Sequence, residues 1–405
     1  MKPSLSLRIV LIALILGFGS ELVAEEGHRA SDEFDQEDIL GVTAMVNYIY
    51  RDWSDSSKSK KGDFEFDSFR IQAQTDIAYG FFASAQYRWY DGWRTPHHML
   101  LGLRFENAEL KLGQTWVPFG IDWQPFDDWG NIPYYVGLQD DYDMGVTWEQ
   151  KAGDFTLDVG FFKNQQLSSG SRERYDTDVF SGDVGSDDII LKEKENEETN
   201  QLNLRALYDI PLDTDDRSAS IGVSGMLGQL YNKTTDDSGT RWAFAAHGSC
   251  EVGIVHANLQ WTFYDYDQEL PRGATRDDKD WINVSAWNFA YEIPREAHML
   301  SGSIGVELMG EALIAHVNYS TLWGGTSEAD SHLVTYGLCS LGEGREFAKP
   351  VDVFLEAYQG RNDPQLSGDA SGYGRDASCS DFRIELRLFY HFDLSKRNVS
   401  RKLDS

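Results

Sequence analysis

"FRIQAQTDI" (69–77) puts Phe69, Ile71, Ala73, Thr75 and Ile77 on one side and Arg70, Gln72, Gln74 and Asp76 on the other. A period of two is that of a β-strand with one apolar and one polar face. The same pattern returns in "NQLNLRALYDI" (200–210), where Leu202, Leu204 and Ala206 alternate with Gln201, Asn203 and Arg205. It returns again in "FRIELRLFYHF" (382–392), where Ile384, Leu386 and Leu388 alternate with Arg383, Glu385 and Arg387. Charges at mid-strand mark the polar face as wet.

Alternation alone also fits a soluble sandwich. Three further features favour a transmembrane barrel. The segments run to about 9–14 residues, the reach of tilted membrane-crossing strands, whereas soluble strands average five or six. Aromatics gather at segment ends, as at Tyr87, Trp89 and Tyr90 or Trp261, Phe263 and Tyr264, in the manner of interfacial girdles. Short turns ("AYG", 78–80; "EN", 106–107; "QKAGD", 150–154) alternate with long polar loops at 51–63, 116–142, 164–199, 267–280 and 361–378. That asymmetry belongs to barrels with short periplasmic turns and long external loops.

Upward strands are expected near 39–50, 81–90, 107–115, 154–163, 218–231, 253–266, 311–322 and 349–360. Downward strands are expected near 64–77, 98–106, 143–151, 200–210, 241–250, 281–292, 330–340 and 379–392. The result is an all-β, closed antiparallel barrel of about sixteen strands. The stretch 297–310, "AHMLSGSIGVELMG", is open between an extra strand, a long turn and a short helix, so eighteen is the alternative count. A barrel this wide is not filled by its own side chains and is expected to hold water.

The N-terminus reads as an export signal. Lys2 and Arg8 precede the apolar run "IVLIALILGF" (9–18), followed by small and polar residues up to Ala24, with cleavage expected there or near Ser20. The expected organisation is signal 1–24, a periplasmic segment 25–38, the barrel 39–392 and a tail 393–405. A formal net charge of -30 argues against nucleic acid or an anionic surface as partner. The acidic runs "DDIILKEKENEE" (187–198), "DTDD" (213–216) and "DDYD" (140–143) read as solvated loops. Cys250, Cys339 and Cys379 are too few and too scattered for a disulfide scaffold or a CxxC metal site. Neither a cofactor nor a metal is expected.

The segment 116–142 is built to pack rather than flap: Trp116, Pro118, Phe119, Trp123, Pro125, Phe126, Trp129 and Pro133 stiffen it. Asp122, Asp127, Asp128, Asp140, Asp141 and Asp143 charge it. It is expected either to fold inward and constrict the lumen or to rest on the rim. The inward faces of strands two to five carry Arg70, Arg88, Arg104 and Lys111, with Arg383 and Arg387 on the last strand brought near by closure. A basic wall opposite an acidic loop sets a field across the bore. The alternative is local cross-strand pairing with Asp76, Glu109 and Glu385.

"AELKLGQTWVPFG" (108–120) and "MGVTWEQKAGDFTLDVGFFKN" (144–164) resemble the corresponding stretch of the phosphate-selective porin O/P family. The resemblance covers roughly 99–165. It implies a sixteen-stranded outer-membrane channel of Gram-negative bacteria, typically a homotrimer, passing small hydrophilic solutes or ions. The terminal "LFYHF" (388–392) resembles the aromatic-ended last strand that outer-membrane assembly recognises, here followed by thirteen further residues, 393–405. The family's arginine ladder and lysine cluster have no counterpart, since the loop is rich in aspartate and "KSKK" (58–61) is the one dense basic cluster. Phosphate is therefore not carried over.

Other classes fit less well. Histidines at 97, 98, 247 and 256 come without a nucleophile elbow, HExxH or P-loop, so no enzyme is expected. A secreted carbohydrate-binding protein would use Trp123, Asp127, Asp128 and Trp129, but its strands would be shorter. A non-conducting barrel or adhesin is the remaining alternative.

Overall fold

The computed structural model describes residues 39–52, 60–121, 131–166, 174–179, 196–212, 217–270, 279–287, 289–309, 313–340, 351–362, 373 and 380–393. Asp122, Asp127, Asp128, the export signal, the periplasmic segment 25–38, the acidic stretches 187–195 and 213–216, and the tail beyond Asp393 lie outside them. Lipid supplies no hydrogen bonds, so a long amphipathic sheet must pair both of its edges. This sheet pairs them with each other.

The first strand β1 (Ile39–Asp52) is hydrogen-bonded on one side to β2 (Lys60–Ala78). On its other side lies the last strand, β19 (Ser380–Asp393), in register from Gly41↔Asp393 to Asp52↔Phe382. The chain continues through β3 (Phe81–Tyr90), β4 (Arg94–Arg104) and β5 (Ala108–Trp116) to a short helix, α1 (Ile132–Tyr135). Then come β6 (Tyr142–Ala152), β7 (Phe155–Asn164), the brief β8 (Asp178–Val179), β9 (Asn196–Asp209), β10 (Arg217–Asn232) and β11 (Asp237–Val252). The rest is β12 (Val255–Asp267), β13 (Trp281–Ala286), β14 (Phe289–Pro294), β15 (Glu296–Glu307), β16 (Ile314–Trp323), β17 (Ser331–Ser340) and β18 (Val351–Arg361). All except β8, β13 and β14 form one closed antiparallel barrel of sixteen strands. Those three make a separate small sheet in the order β14-β13-β8.

The alternation of the sequence becomes an alternation of environments. In β12, Leu259 (57% exposed) and Trp261 (37%) lie on the outer face, whereas Gln260 (3%) and Thr262 (0%) lie on the inner one. Val46, Tyr48, Ile221, Val223, Leu227, Ile304 and Val317 repeat the outer apolar band. Aromatics meet across neighbouring strands, as Phe155 at the start of β7 does with Tyr208 (centroids 4.7 Å apart) and Trp89 near the end of β3 with Phe69 of β2 (5.8 Å). The short turns are tight. Tyr79 and Gly80 between β2 and β3 both take positive φ, 54° and 80°, the pair of left-handed residues that matches strand twist in a two-residue hairpin. A Cβ on Gly80 would meet the Arg104 carbonyl oxygen at 2.7 Å.

One strand assignment from the sequence is corrected. The stretch 281–292 is not a wall strand, because β13 pairs with β14 and β8 instead. The wall position belongs to β15, drawn from the stretch left open at 297–310, which pairs with β12 and β16. The count therefore stays at sixteen. The reason is burial on both faces: Trp281 to Ala286 are all buried, polar Asn283 and Ser285 included. A wall strand must leave alternate residues to lipid, as Leu259 and Ile304 are left. The expectation of a merely water-filled interior also needs revision. Phe119, Tyr134, Tyr135, Leu138, Ile282, Val284 and Ile293 join inward wall residues such as Met226, Tyr264, Met299 and Leu322 in one buried apolar cluster.

A charge on the outer face should therefore be costly where one on the inner face is not. Leu259→Arg is expected to destabilise the barrel in lipid vesicles by about 2–4 kcal/mol, read by reversible denaturant unfolding. Stability unchanged by the substitution would contradict a lipid-facing Leu259.

Candidate functional site

The segment after β5 carries backbone donors and acceptors into the barrel interior, where each needs a partner. The wall provides them. Val117 N–H donates to the Asp141 carbonyl (2.8 Å), closing the base of the loop. Gly120 N–H donates to Ser224 Oγ on β10 (3.0 Å), and Ile121 N–H to Gln260 Oε1 on β12 (2.7 Å). Arg205 of β9 donates to the Gly120 carbonyl (2.8 Å) while paired with Asp158 of β7 (2.9 Å). Arg241 of β11 donates to the Gly137 carbonyl (2.8 Å), and Tyr266 of β12 to the Val136 carbonyl (3.2 Å).

The farthest anchor fixes the geometry. Ile132 N–H, at the start of α1, donates to Ser320 Oγ on β16 (3.2 Å). Counting along the ring order, β16 stands eight places from β5 in either direction round a sixteen-strand ring. The segment thus runs from one wall to the diametrically opposite one.

A second insertion braces it. Tyr291 of β14 donates to the Tyr135 carbonyl (2.7 Å), and Tyr134 donates to the carbonyl of Tyr175. Val179 N–H of β8 donates to Glu198 Oε1 on β9 (2.9 Å), and Glu198 is ion-paired with Arg241. The acidic run 140–143 belongs to this interior and is not solvated as its composition suggested: Asp140, Asp141 and Asp143 are all buried. Asp140 accepts from Tyr175 Oη (2.5 Å) and Asp176 from Tyr142 N–H (2.6 Å), while Arg174 pairs with Asp178 (2.7 Å). Burial pushes the Asp141 and Asp176 carboxyls well above their ordinary range, and neighbouring carboxylates add to it.

The basic residues divide. Arg70 and Arg88 are register partners across β2 and β3. Arg70 donates to Ser68 Oγ (3.3 Å), and the Arg88 guanidinium lies 4.3 Å from the ring centroid of Tyr175. Arg104 pairs with Asp76 (2.5 Å) and Glu109 (3.2 Å), and Lys111 with Glu109 (2.6 Å). These two follow the local-pairing alternative. Arg387, fully buried, is ion-paired with Glu356, which also meets His316 at 3.2 Å. Arg383 is placed opposite Arg51 of β1 and Tyr358 of β18 by backbone pairing. Sequence reasoning missed the Arg205–Asp158, Arg241–Glu198 and Arg174–Asp178 pairs. A lone basic residue in an alternating polar face was the only signal for the first two.

No protein-family model matches the chain, and no curated protein matches it. Solved structures do. The outer-membrane expressed OmpT of Vibrio cholerae is 11% identical, covering 88% of this chain and 97% of its own, with a TM-score of 0.50. Its in-vitro folded, trimer form is 14% identical over 88% and 100%, again at 0.50. The outer membrane channel DcaP of Acinetobacter baumannii is 14% identical over 88% and 96%, at 0.52. At such identities the likeness is one of fold.

Arg241 is the hinge-pin of the crossing segment. Arg241→Met leaves Glu198 buried without its counter-charge, an expected loss of about 3–5 kcal/mol, and frees the Gly137 carbonyl. Denaturant unfolding measures the first effect. Faster proteolysis within 131–141 in the folded barrel measures the second.

Proposed function

We propose that this chain is a porin of the Gram-negative outer membrane, through which small hydrophilic solutes or ions diffuse passively. The reading rests on one observation: a sixteen-strand barrel with a polar inner face is crossed from β5 to β16 by its own loop. A closed transmembrane cylinder gives water a route, and a loop across the bore narrows that route without sealing the sheet. The fold likeness to outer-membrane proteins and the export-type N-terminus support the location. Assembly as a homotrimer in lipid belongs to the same proposal, since one of the similar structures is a trimer form.

In this reading Arg70, Arg88, Arg104, Lys111, Arg383 and Arg387 form the basic side of the lumen and Asp122, Asp127 and Asp128 the acidic side. Arg104 and Lys111 are largely offset by Asp76 and Glu109, and Arg387 by Glu356. A second reading, a barrel that does not conduct, draws on the buried apolar cluster within the lumen. Planar-bilayer recording separates the two. Stable conductance steps are expected, and well-inserted barrels without steps would favour the second reading. Arg70→Glu reverses a charge beside the permeant. Even at water-like screening a contact charge is worth about 1 kcal/mol, so the cation-to-anion permeability ratio should rise about fivefold in reversal-potential measurements.

A further inference from the structure

Three carboxylates are gathered where the crossing segment meets the small inner sheet, with a fourth close by in sequence to one of them. Asp141 closes the base of the loop, Asp143 is the second residue of β6, and Asp178 lies in β8. One carboxylate oxygen of each lies within 4.8 Å of the other two, and all three residues are buried. Asp176 is the fourth. Its carboxylate accepts from the peptide N–H of Tyr142, the residue between Asp141 and Asp143.

These acids are short of partners. Asp176 has 0% exposure, and its Oδ1 accepts no hydrogen bond. The Oδ1 atoms of Asp141, Asp143 and Asp178 accept none either. Arg174 engages the other oxygen of Asp178, and Arg241 is committed to Glu198, Gln201 and the Gly137 carbonyl. Buried carboxylates this close are tolerable only if they hold protons or share a cation.

From this juxtaposition of Asp141, Asp143 and Asp178 we propose a buried divalent-cation site that takes Ca²⁺ and staples the crossing segment to β6 and β8. The donor set is all oxygen, which suits a hard cation and not zinc. Ca²⁺–oxygen distances of about 2.3–2.6 Å place ligands on opposite sides of the ion about 5 Å apart, so the observed spread accommodates it. Mg²⁺ requires near-octahedral geometry and keeps several waters, which a fully buried set of side chains from three segments suits less well. The bound ion would add counter-charge to that of Arg174 and Arg241. This site is independent of whether the barrel conducts.

The test uses the full barrel in detergent, stripped with EGTA. Tb³⁺ replaces Ca²⁺ in oxygen sites, and nearby tyrosines (142, 175 and 134) would sensitise its emission. One saturable Tb³⁺ site per chain is expected, displaced by Ca²⁺ at lower concentration than by Mg²⁺. Ca²⁺ is also expected to raise the melting temperature of the wild type. Asp143→Asn and Asp178→Asn should abolish the saturable emission, whereas Asp209→Asn, at an exposed strand end, should leave it intact. Should the two inner variants not fold, the wild type decides alone. No saturable emission, or a melting temperature equal in Ca²⁺ and EGTA, overturns the proposal. So does emission that survives unchanged in a folded Asp143→Asn barrel, since it would come from the acidic surface.

Discussion

A sheet in lipid cannot leave an edge unpaired. Every N–H and C=O within the hydrocarbon layer needs a partner from the protein, and a strand that lacks one exposes a row of groups costing several kcal/mol each. The pairing of β1 with β19, from Gly41↔Asp393 to Asp52↔Phe382, removes that edge. Ring closure then dictates much else. It orders the strands, sends alternate side chains inward, and brings Arg387 beside Asn47 although they are far apart in the chain.

Closure also creates an interior that the wall cannot fill. The chain resolves this by insertion. The segment after β5 and the β13–β14 hairpin enter the lumen, and the polar inner face that would otherwise face only water supplies their hydrogen bonds. Ser224, Gln260, Ser320, Arg205 and Arg241 each satisfy a backbone group of the crossing segment. The same residues that read as a wet wall thus act as sockets. An apolar cluster forms around Tyr134, Tyr135, Ile282 and Met299, giving a transmembrane barrel an inner core of the kind soluble domains have. A segment anchored at both walls holds its shape, because thermal movement would break several buried hydrogen bonds together.

The electrostatics follow from depth. Near the short turns, Arg104 and Lys111 meet Asp76 and Glu109, pairs that remain partly exposed and moderate in strength. Farther inside, Arg205–Asp158, Arg241–Glu198 and Arg387–Glu356 are buried or nearly so. Pairs of this kind add specificity more than net stability, and losing one partner is the costly event. Arg241 shows why: it joins a wall strand, the crossing segment and β9 in a single contact set.

Period-two patterning determined the barrel class, the even number of strands and the residues that face opposite ways, because lipid and lumen impose opposite polarity on successive side chains. The proline-rich and aromatic run 116–133 was legible as stiff for its residue types alone. Tertiary structure decided what each face meets. Trp281 to Ala286 alternate as a wall strand does, yet both of their faces are buried in the lumen, while the less regular 296–307 takes the wall. Asp140 to Asp143 have the composition of a surface loop but lie inside, because their neighbours anchor to strands on the far side. Alternation records that two environments differ. Which environments they are depends on contacts between residues more than a hundred positions apart, such as Ile132 with Ser320, and only the closed ring brings those together.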